Sequence, residues 1–125
     1  MKRDMDLLRK ILFAIEEQYE PGQGYIFILR VDGYGMPTLA EHCSLLCQAG
    51  LVQDYEETRG GDKTVAFTVG NLTSAGYDYL ELIRNDKVWK KTQDEIKKKD
   101  LPASIEMIAK IAGVFTGNVL KELNS

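Results

Sequence analysis

The chain has 125 residues, of which 44% are hydrophobic and 28% are charged, and it carries a net charge of −3. This length and composition suit one soluble globular domain and exclude both a wholly disordered chain and a protein with two sizeable cores. No apolar run approaches the roughly 20 residues that a membrane-spanning helix needs, and the acidic balance gives no global electrostatic footprint for nucleic acid.

The first part of the sequence predicts a helix followed by a strand. Apolar residues recur at steps of three and four over residues 3–19, where Asp4 can cap the helix and Pro21 ends it. The period then changes, because the run 25–31 is dense in β-branched and aromatic residues. We therefore expect a buried strand over 25–31.

A second helix is predicted over residues 38–49. Thr38 is available as its N-terminal cap, and Glu41 three positions later would complete a capping box. Gly50 stands where a left-handed C-terminal cap is expected. Both ends of this helix are thus defined by local signals in the sequence.

A β-hairpin is predicted to follow the second helix. Residues 51–57 and 64–69 are two extended runs, and the turn 59–62 between them contains two consecutive glycines. Thr73 then stands as the cap of a third helix. The hairpin and this helix are the last elements predicted in the first two thirds of the chain.

The last third of the chain is predicted to be helical. The third helix either continues past Trp89 or breaks near Asn85, and the sequence leaves both alternatives open. A last helix is predicted over about 103–123, with Pro102 in its first turn. This segment forms a C-terminal helical extension.

The order of helix, strand, helix, hairpin and helix is that of a winged-helix domain. We predict an α+β fold with a winged-helix-like core over 1–85, in which 25–31 pairs with the hairpin wing. Residues 86–125 are predicted to pack on this core or on a dimer mate. The predicted core comprises Leu8, Leu12, Ile15, Leu39, Leu46, Leu51, Phe67, Leu80 and Ile83.

Several segments resemble known families. The stretch 41–52 looks like the end of a recognition helix passing into a wing strand, and Leu72-Thr73-Ser74-Ala75-Gly76 resembles the segment after the wing in many bacterial winged-helix regulators. Four further features share one resemblance: the opening Met1-Lys2-Arg3-Asp4-Met5-Asp6-Leu7, the Gly33-Tyr34 turn, the helix with His42 and Leu45-Leu46, and the stretch from Ile83 to Trp89. Through them nearly the whole chain is similar to a family of unknown function that is common in phages and prophages of bacteria. This resemblance implies a winged-helix-like domain and carries over no catalytic residue.

No motif in the sequence indicates catalysis. Cys43 and Cys47 share a helix face, but with His42 as the single histidine the chain lacks the remaining ligands of a zinc site, so we interpret the three as core residues. No Gly-x-Ser-x-Gly motif frames a serine, and the glycine pairs lack the lysine of a phosphate loop. We predict no enzyme, no cofactor, no metal and no small-molecule substrate.

Weak binding of double-stranded DNA, in transcriptional regulation, is one functional hypothesis. In a winged helix the recognition helix enters the major groove and the wing contacts the backbone. His42 is expected at the edge of the outward face, and Glu41 on that face repels phosphate. The helix that normally precedes a recognition helix is missing between 31 and 38, which counts against this hypothesis. The candidate DNA-binding residues are Thr38, Ser44, Gln48, Arg59 and Lys63.

The alternative hypothesis is a protein-interaction or dimerisation module that does not bind nucleic acid. The last helix is apolar most of the way round, which predicts a homodimer in which this helix packs against a symmetry mate. A helix clamped within its own chain is the other possibility. Acidic side chains grouped with the wing would favour the interaction module over DNA binding. The candidate self-association residues are Ile108, Ile111, Gly113, Phe115 and Val119.

Two features predict a cytoplasmic location. Asp4 and Asp6 stand where the apolar stretch of a secretory signal should begin, so we expect no such signal. The two cysteines are too few for a disulfide framework, which fits a reducing compartment.

Overall fold

The computed structural model describes residues 2–123, and side chains through residue 117. This part of the chain is α+β, with five helices and one two-stranded antiparallel sheet. The chain divides into two compact units, Met1–Tyr77 and Asp78–Ser125. The boundary predicted near residue 85, between the core and the C-terminal extension, stays a prediction. The elements are α1 (Met5–Gln18), α2 (Met36–Gln48), β1 (Tyr55–Gly60), β2 (Lys63–Val69), α3 (Ser74–Ile83), α4 (Asp86–Lys98) and α5 (Ile105–Leu123).

The predicted first helix is confirmed as α1. The Asp4 carboxylate caps it by accepting a hydrogen bond from the Leu7 N–H at 3.1 Å. The helix ends at Gln18, before Pro21. Its inner face buries Leu7, Leu8, Ile11, Leu12, Ala14 and Ile15.

The predicted strand over 25–31 is wrong. Within this run only Ile26 pairs with the sheet, donating to the Val69 carbonyl at 2.7 Å and accepting from the Val69 N–H at 3.2 Å. The backbone bends immediately afterwards, and Phe27 and Ile28 are 63% and 72% exposed. The first strand of the expected three-stranded sheet is therefore reduced to one bridge.

A glutamine side chain takes the place of a sheet partner beyond this bridge. The Gln18 amide donates to the Arg30 carbonyl at 2.8 Å and accepts from the Arg30 N–H at 3.1 Å. Leu29, between the exposed Ile28 and Arg30, is only 6% exposed, so its side chain lies in the core. The segment after Ile26 is therefore fixed by the Gln18 side chain of α1 and by the buried Leu29, and not by the backbone hydrogen bonds of a β-sheet.

The second helix begins two residues earlier than predicted. Gly35 is its N-terminal cap, without a side-chain hydrogen bond, and Pro37 stands in its first turn, where a missing N–H costs nothing. Thr38 is therefore inside α2 and cannot cap it. The capping box predicted from Thr38 and Glu41 does not form.

The C-terminal end of α2 is as predicted. Gly50 adopts a φ of +78°, which glycine reaches without a steric penalty. The Gly50 N–H donates to the Cys47 carbonyl and the Leu51 N–H to the Leu46 carbonyl, both at 3.0 Å. This pair of bonds is the Schellman arrangement, and it turns the chain from α2 toward the hairpin.

The predicted hairpin is confirmed. β1 and β2 pair antiparallel from Tyr55 opposite Val69 to Gly60 opposite Lys63, with an irregularity at Val65, which has no partner on β1. Gly61, in the two-residue turn, has a φ of +69°. Such a turn needs a residue that tolerates positive φ, which explains the glycine there.

The start of α3 is tied to the end of α2. The Thr73 hydroxyl donates to the Gly50 carbonyl at 2.6 Å and accepts from the Gly76 N–H at 3.0 Å, which confirms Thr73 as the cap. The Thr73 N–H donates to the Leu51 carbonyl at 3.0 Å. A Cβ on Gly76 would overlap that same carbonyl oxygen. Only glycine allows this close approach.

The unit Asp78–Ser125 contains the pair α4 and α5, which pack together. The chain breaks at Asn85, whose side chain caps α4 by accepting from the Lys87 and Val88 N–H groups at 2.9 and 3.2 Å. Ser104 caps α5, so Pro102 precedes the helix instead of standing in its first turn as predicted.

All nine residues of the predicted core are buried, none being more than 8% exposed. The prediction of these nine core residues is therefore confirmed, unlike the prediction of a strand over 25–31. None of the helices in the described part of the chain combines the length and hydropathy of a membrane-crossing segment.

Candidate interaction surfaces

The single histidine is a structural residue of the first unit. His42 is 1% exposed, so its expected place at the edge of the outward face of α2 is wrong. Its Nε2 accepts from the Asp4 N–H at 2.9 Å, and its Nδ1 lies 2.8 Å from the Thr38 carbonyl. Because that carbonyl can only accept, Nδ1 carries the proton. The Nε2 bond joins α2 to the start of α1, and the Nδ1 bond to Thr38, one turn earlier in α2, fixes the orientation of the ring.

The remaining candidates on α2 form a modest polar face. Thr38 and Ser44 are half-buried, and Gln48 is exposed. The Gln48 amide donates to the Ser44 hydroxyl at 3.1 Å. Glu41 is exposed on the same helix. This helix therefore presents hydrogen-bonding groups but no positive charge.

The hairpin is organised around an acid rather than a base. Glu57 pairs with the Arg59 guanidinium at 3.1 Å and accepts from the Thr64 and Tyr55 hydroxyls at 2.8 and 3.0 Å. The Thr64 hydrogen bond, followed by those of Tyr55 and Arg59, lowers the pKa of the Glu57 carboxyl, which stays ionised. Of the two basic candidates on the hairpin, Arg59 is paired with Glu57 and Lys63 is exposed.

The pKa of Tyr55, at the start of β1, is affected by nearby acidic side chains. Burial and its hydrogen bond to Glu57 raise the pKa of the Tyr55 hydroxyl, and the negative charge of Glu41 acts in the same direction. Glu57 is hydrogen-bonded to Tyr55, whereas Glu41 acts on this hydroxyl only through its charge.

Neither cysteine has the surroundings of a metal ligand. Cys43 is buried, and this burial raises the pKa of its thiol to about 12, so the thiolate that a metal or an electrophile needs does not form near neutral pH. Cys47 is half-buried. Among the described residues, no three His, Cys, Asp or Glu side chains are grouped closely enough to hold a metal ion.

We expect one thiol of the native chain to react with a disulfide reagent at pH 8 and the other to stay protected. Cys47 should react first, because Cys43 is buried and its pKa is raised. The measurement is a thiol titration followed by mass spectrometry of the labelled site. Cys43→Ala should leave the fast phase unchanged, and Cys47→Ala should remove it. Rapid labelling of Cys43 would contradict the observed packing.

An apolar groove lies beside the exposed Phe27 and Ile28. It has a volume of about 310 Å³. Together with two neighbouring cavities that also border Phe27, it forms what we call the Phe27 surface. The groove is lined by Phe27, Ile28, Leu29, Met36, Leu39, Ala66 and Phe67.

The two neighbouring cavities are lined by acidic residues. A cavity of about 610 Å³ that Phe27 borders includes Glu17 and Glu20 in its lining, and a second of about 230 Å³, also bordered by Phe27, includes Glu56 and Glu57. Sequence reasoning missed this surface because a dense apolar run is equally typical of a buried strand. No signal within 25–31 distinguishes the two.

The self-association candidates on α5 occupy different environments. Ile108 is buried within the chain, whereas Ile111, Gly113 and Phe115 are half-buried. Ile111 and Phe115 line a cavity of about 230 Å³ in the unit formed by α4 and α5. The side chain of Val119 lies outside the described residues.

A family described as "Hypothetical protein (DUF2513)" matches residues 2–102. The chain belongs to the DUF2513 family. It is also 32% identical over 120 residues to an uncharacterized protein of Haemophilus influenzae, an alignment that covers 96% of this chain and 99% of that protein. No solved structure matches this DUF2513 chain. The resemblance to a family of unknown function is confirmed, and the association with phages stays a prediction.

Proposed function

We propose that this DUF2513 chain is a protein-interaction module that catalyses no reaction and whose first unit is winged-helix-like. The element order in residues 1–77 supports the fold, because α1, the Ile26 bridge, α2 and the hairpin follow one another as in that class. The Ile26 bridge to Val69 is the pairing that a shortened first strand would make with the second wing strand.

The exposure of Phe27 and Ile28 beside an apolar groove carries the functional proposal. A single exposed apolar side chain is ordinary, but a contiguous group of them rimmed by polar residues is typical of an interaction site. Met36, at the start of α2, is also exposed and lines the same groove. Leaving three large apolar side chains in water has a cost that binding would offset.

Photo-crosslinking tests this proposal. A photoreactive phenylalanine analogue at position 27, in cells of a bacterium that carries the gene, should yield an adduct with one defined protein. The same analogue at Tyr77, an exposed aromatic position outside the Phe27 surface, is the matched control and should yield none. Ile28→Asp should remove the adduct at 27. Equal products at 27 and 77, or no product, would contradict the proposal.

Weak binding of duplex DNA is the second candidate, because Lys63 and Gln48 are both exposed. Under it, Lys63→Ala and Arg59→Ala weaken binding on every sequence, since phosphate contacts carry no sequence information, and Lys63→Ala reduces the salt slope by about 1. Arg59→Ala has the smaller effect because Glu57 already engages that guanidinium. Gln48→Ala changes sequence preference instead.

An electrophoretic shift with random duplex at low and at raised salt decides between the candidates. The interaction-module proposal predicts no shift at either salt concentration. A shift at low salt that Lys63→Ala weakens would establish the DNA candidate in its place. Self-association through α5 stays a prediction, for which sedimentation of the chain and of Phe115→Glu is the measurement.

A further inference from the structure

We propose that the Phe27 surface binds an extended peptide segment of a partner protein, which adds to the free edge of β2 and carries basic residues on both sides of an apolar anchor. This inference rests on the proposed function as a protein-interaction module. It goes further by giving the conformation and the chemistry of the segment that is bound.

The outer edge of β2 is open next to the Ile26 bridge. Alternate residues of an antiparallel strand direct their backbone groups to the same side. Since the Val69 N–H and carbonyl bond to Ile26, those of Phe67 point to that side too. Within the described part of the chain, no backbone partner is found for them. An edge of this kind is a template for pairing with an added strand.

The Ile26 bridge shows that this edge can pair in the antiparallel sense. Its two hydrogen bonds, at 2.7 and 3.2 Å, have ordinary backbone geometry. The chain itself then leaves the edge, because it bends at Phe27 and Ile28. One residue of this chain thus occupies the edge, and the position alongside Phe67 is left for another segment.

The apolar groove lies next to the same edge and supplies a place for an anchor. Ala66 and Phe67 of β2 form one wall, and Ile28 and Met36 stand on the other. A volume of about 310 Å³ is at the small end of the roughly 300–1,000 Å³ of ligand pockets, which suits one or two side chains. Strand addition combines backbone pairing with such side-chain pockets.

The charge around the groove selects a basic segment. Glu17 and Glu20 line one of the cavities that Phe27 borders and Glu56 lines another, while Glu57 is already paired with Arg59. Among the described residues that line the three cavities, Arg30 is the single basic one. A partner with lysine or arginine beside its anchor therefore complements the surface, and an acidic segment or a nucleic-acid backbone is repelled.

Selection from a random library of displayed nine-residue peptides tests this inference. The full chain is the bait, and Phe27→Asp is used to remove peptides that do not need the surface. We expect the recovered peptides to be rich in lysine and arginine around one large apolar residue. The affinity of a synthetic consensus peptide is then measured by fluorescence polarisation.

Three variants make the peptide measurement specific. Glu20→Lys should weaken binding of the consensus peptide about tenfold, whereas Asp62→Lys, an equal charge reversal at the exposed hairpin turn, should leave it unchanged. N-methylation of alternate peptide nitrogens should abolish binding, because it removes the donors to the β2 edge. Circular dichroism confirms that each variant is folded.

The outcomes separate this inference from the proposed function. A protein adduct at position 27, together with acidic consensus peptides or with none that need Phe27, would overturn the inference and leave the interaction module standing. Binding that survives N-methylation would overturn the strand-addition part. A basic, apolar consensus that loses affinity in Glu20→Lys and on N-methylation supports the inference in full.

Discussion

Gly76→Ala is expected to lower the free energy of unfolding by about 3 kcal/mol, the upper part of the range for overpacked sites. The added Cβ would overlap the Leu51 carbonyl oxygen, which also accepts the Thr73 N–H. Neither group can move easily, since Thr73 is bonded to Gly50 as well. The start of α3 would have to shift away from the end of α2.

Gly113→Ala is the matched control, because it makes the same change inside a helix with open space around the new methyl group. Helix propensity alone predicts that alanine there raises stability by up to about 1 kcal/mol. Urea denaturation of both variants gives the two free energies. A Gly76→Ala chain as stable as the parent would show that the close approach at Leu51 does not exist.

His42→Leu is expected to lower the free energy of unfolding by about 2 kcal/mol, the cost of leaving partly buried polar groups without partners. The imidazole accepts from the Asp4 N–H and donates to the Thr38 carbonyl, and leucine can do neither. The loss therefore falls on the junction between α2 and the start of α1.

Gln48→Leu is the control for His42→Leu, since it makes a similar polar-to-apolar change at an exposed position of the same helix. Its effect should stay within about 0.5 kcal/mol, as is usual for surface substitutions. The same denaturation measurement compares the two. Equal, small effects at both positions would contradict the buried hydrogen bonds of His42.

Local signals predicted most of the helices and the hairpin. Asp4, Thr73 and Gly50 act through hydrogen bonds or backbone angles within a few residues of themselves, so their roles are visible in the sequence. The hairpin is similar, because its turn and its extended runs are adjacent. The start of α2 was misplaced because two local signals compete there, and Pro37 in the first turn prevailed over Thr38 as a cap.

Long-range contacts decided the features that the sequence did not reveal. The burial of His42 depends on Asp4, 38 residues earlier. The exposure of Phe27 depends on where Ile26 meets Val69 and on Gln18, which holds Arg30 away from the sheet. A dense apolar run carries no information about these partners. From the sequence alone, the run 25–31 therefore predicts a buried strand.

The segment after Ile26 turns Phe27 and Ile28 outward beside the groove and Leu29 inward. Two adjacent substitutions test this arrangement, because Ile28 is 72% exposed and Leu29 is 6% exposed. Ile28→Asp and Leu29→Asp place the same charge one residue apart, and urea denaturation measures the free energy of unfolding of each.

We predict that Ile28→Asp changes this free energy by less than about 0.5 kcal/mol, as expected for an exposed position, while Leu29→Asp lowers it by more than about 3 kcal/mol. A loss at Ile28 as large as the loss at Leu29 would show that the segment is buried on both faces, and it would contradict the account.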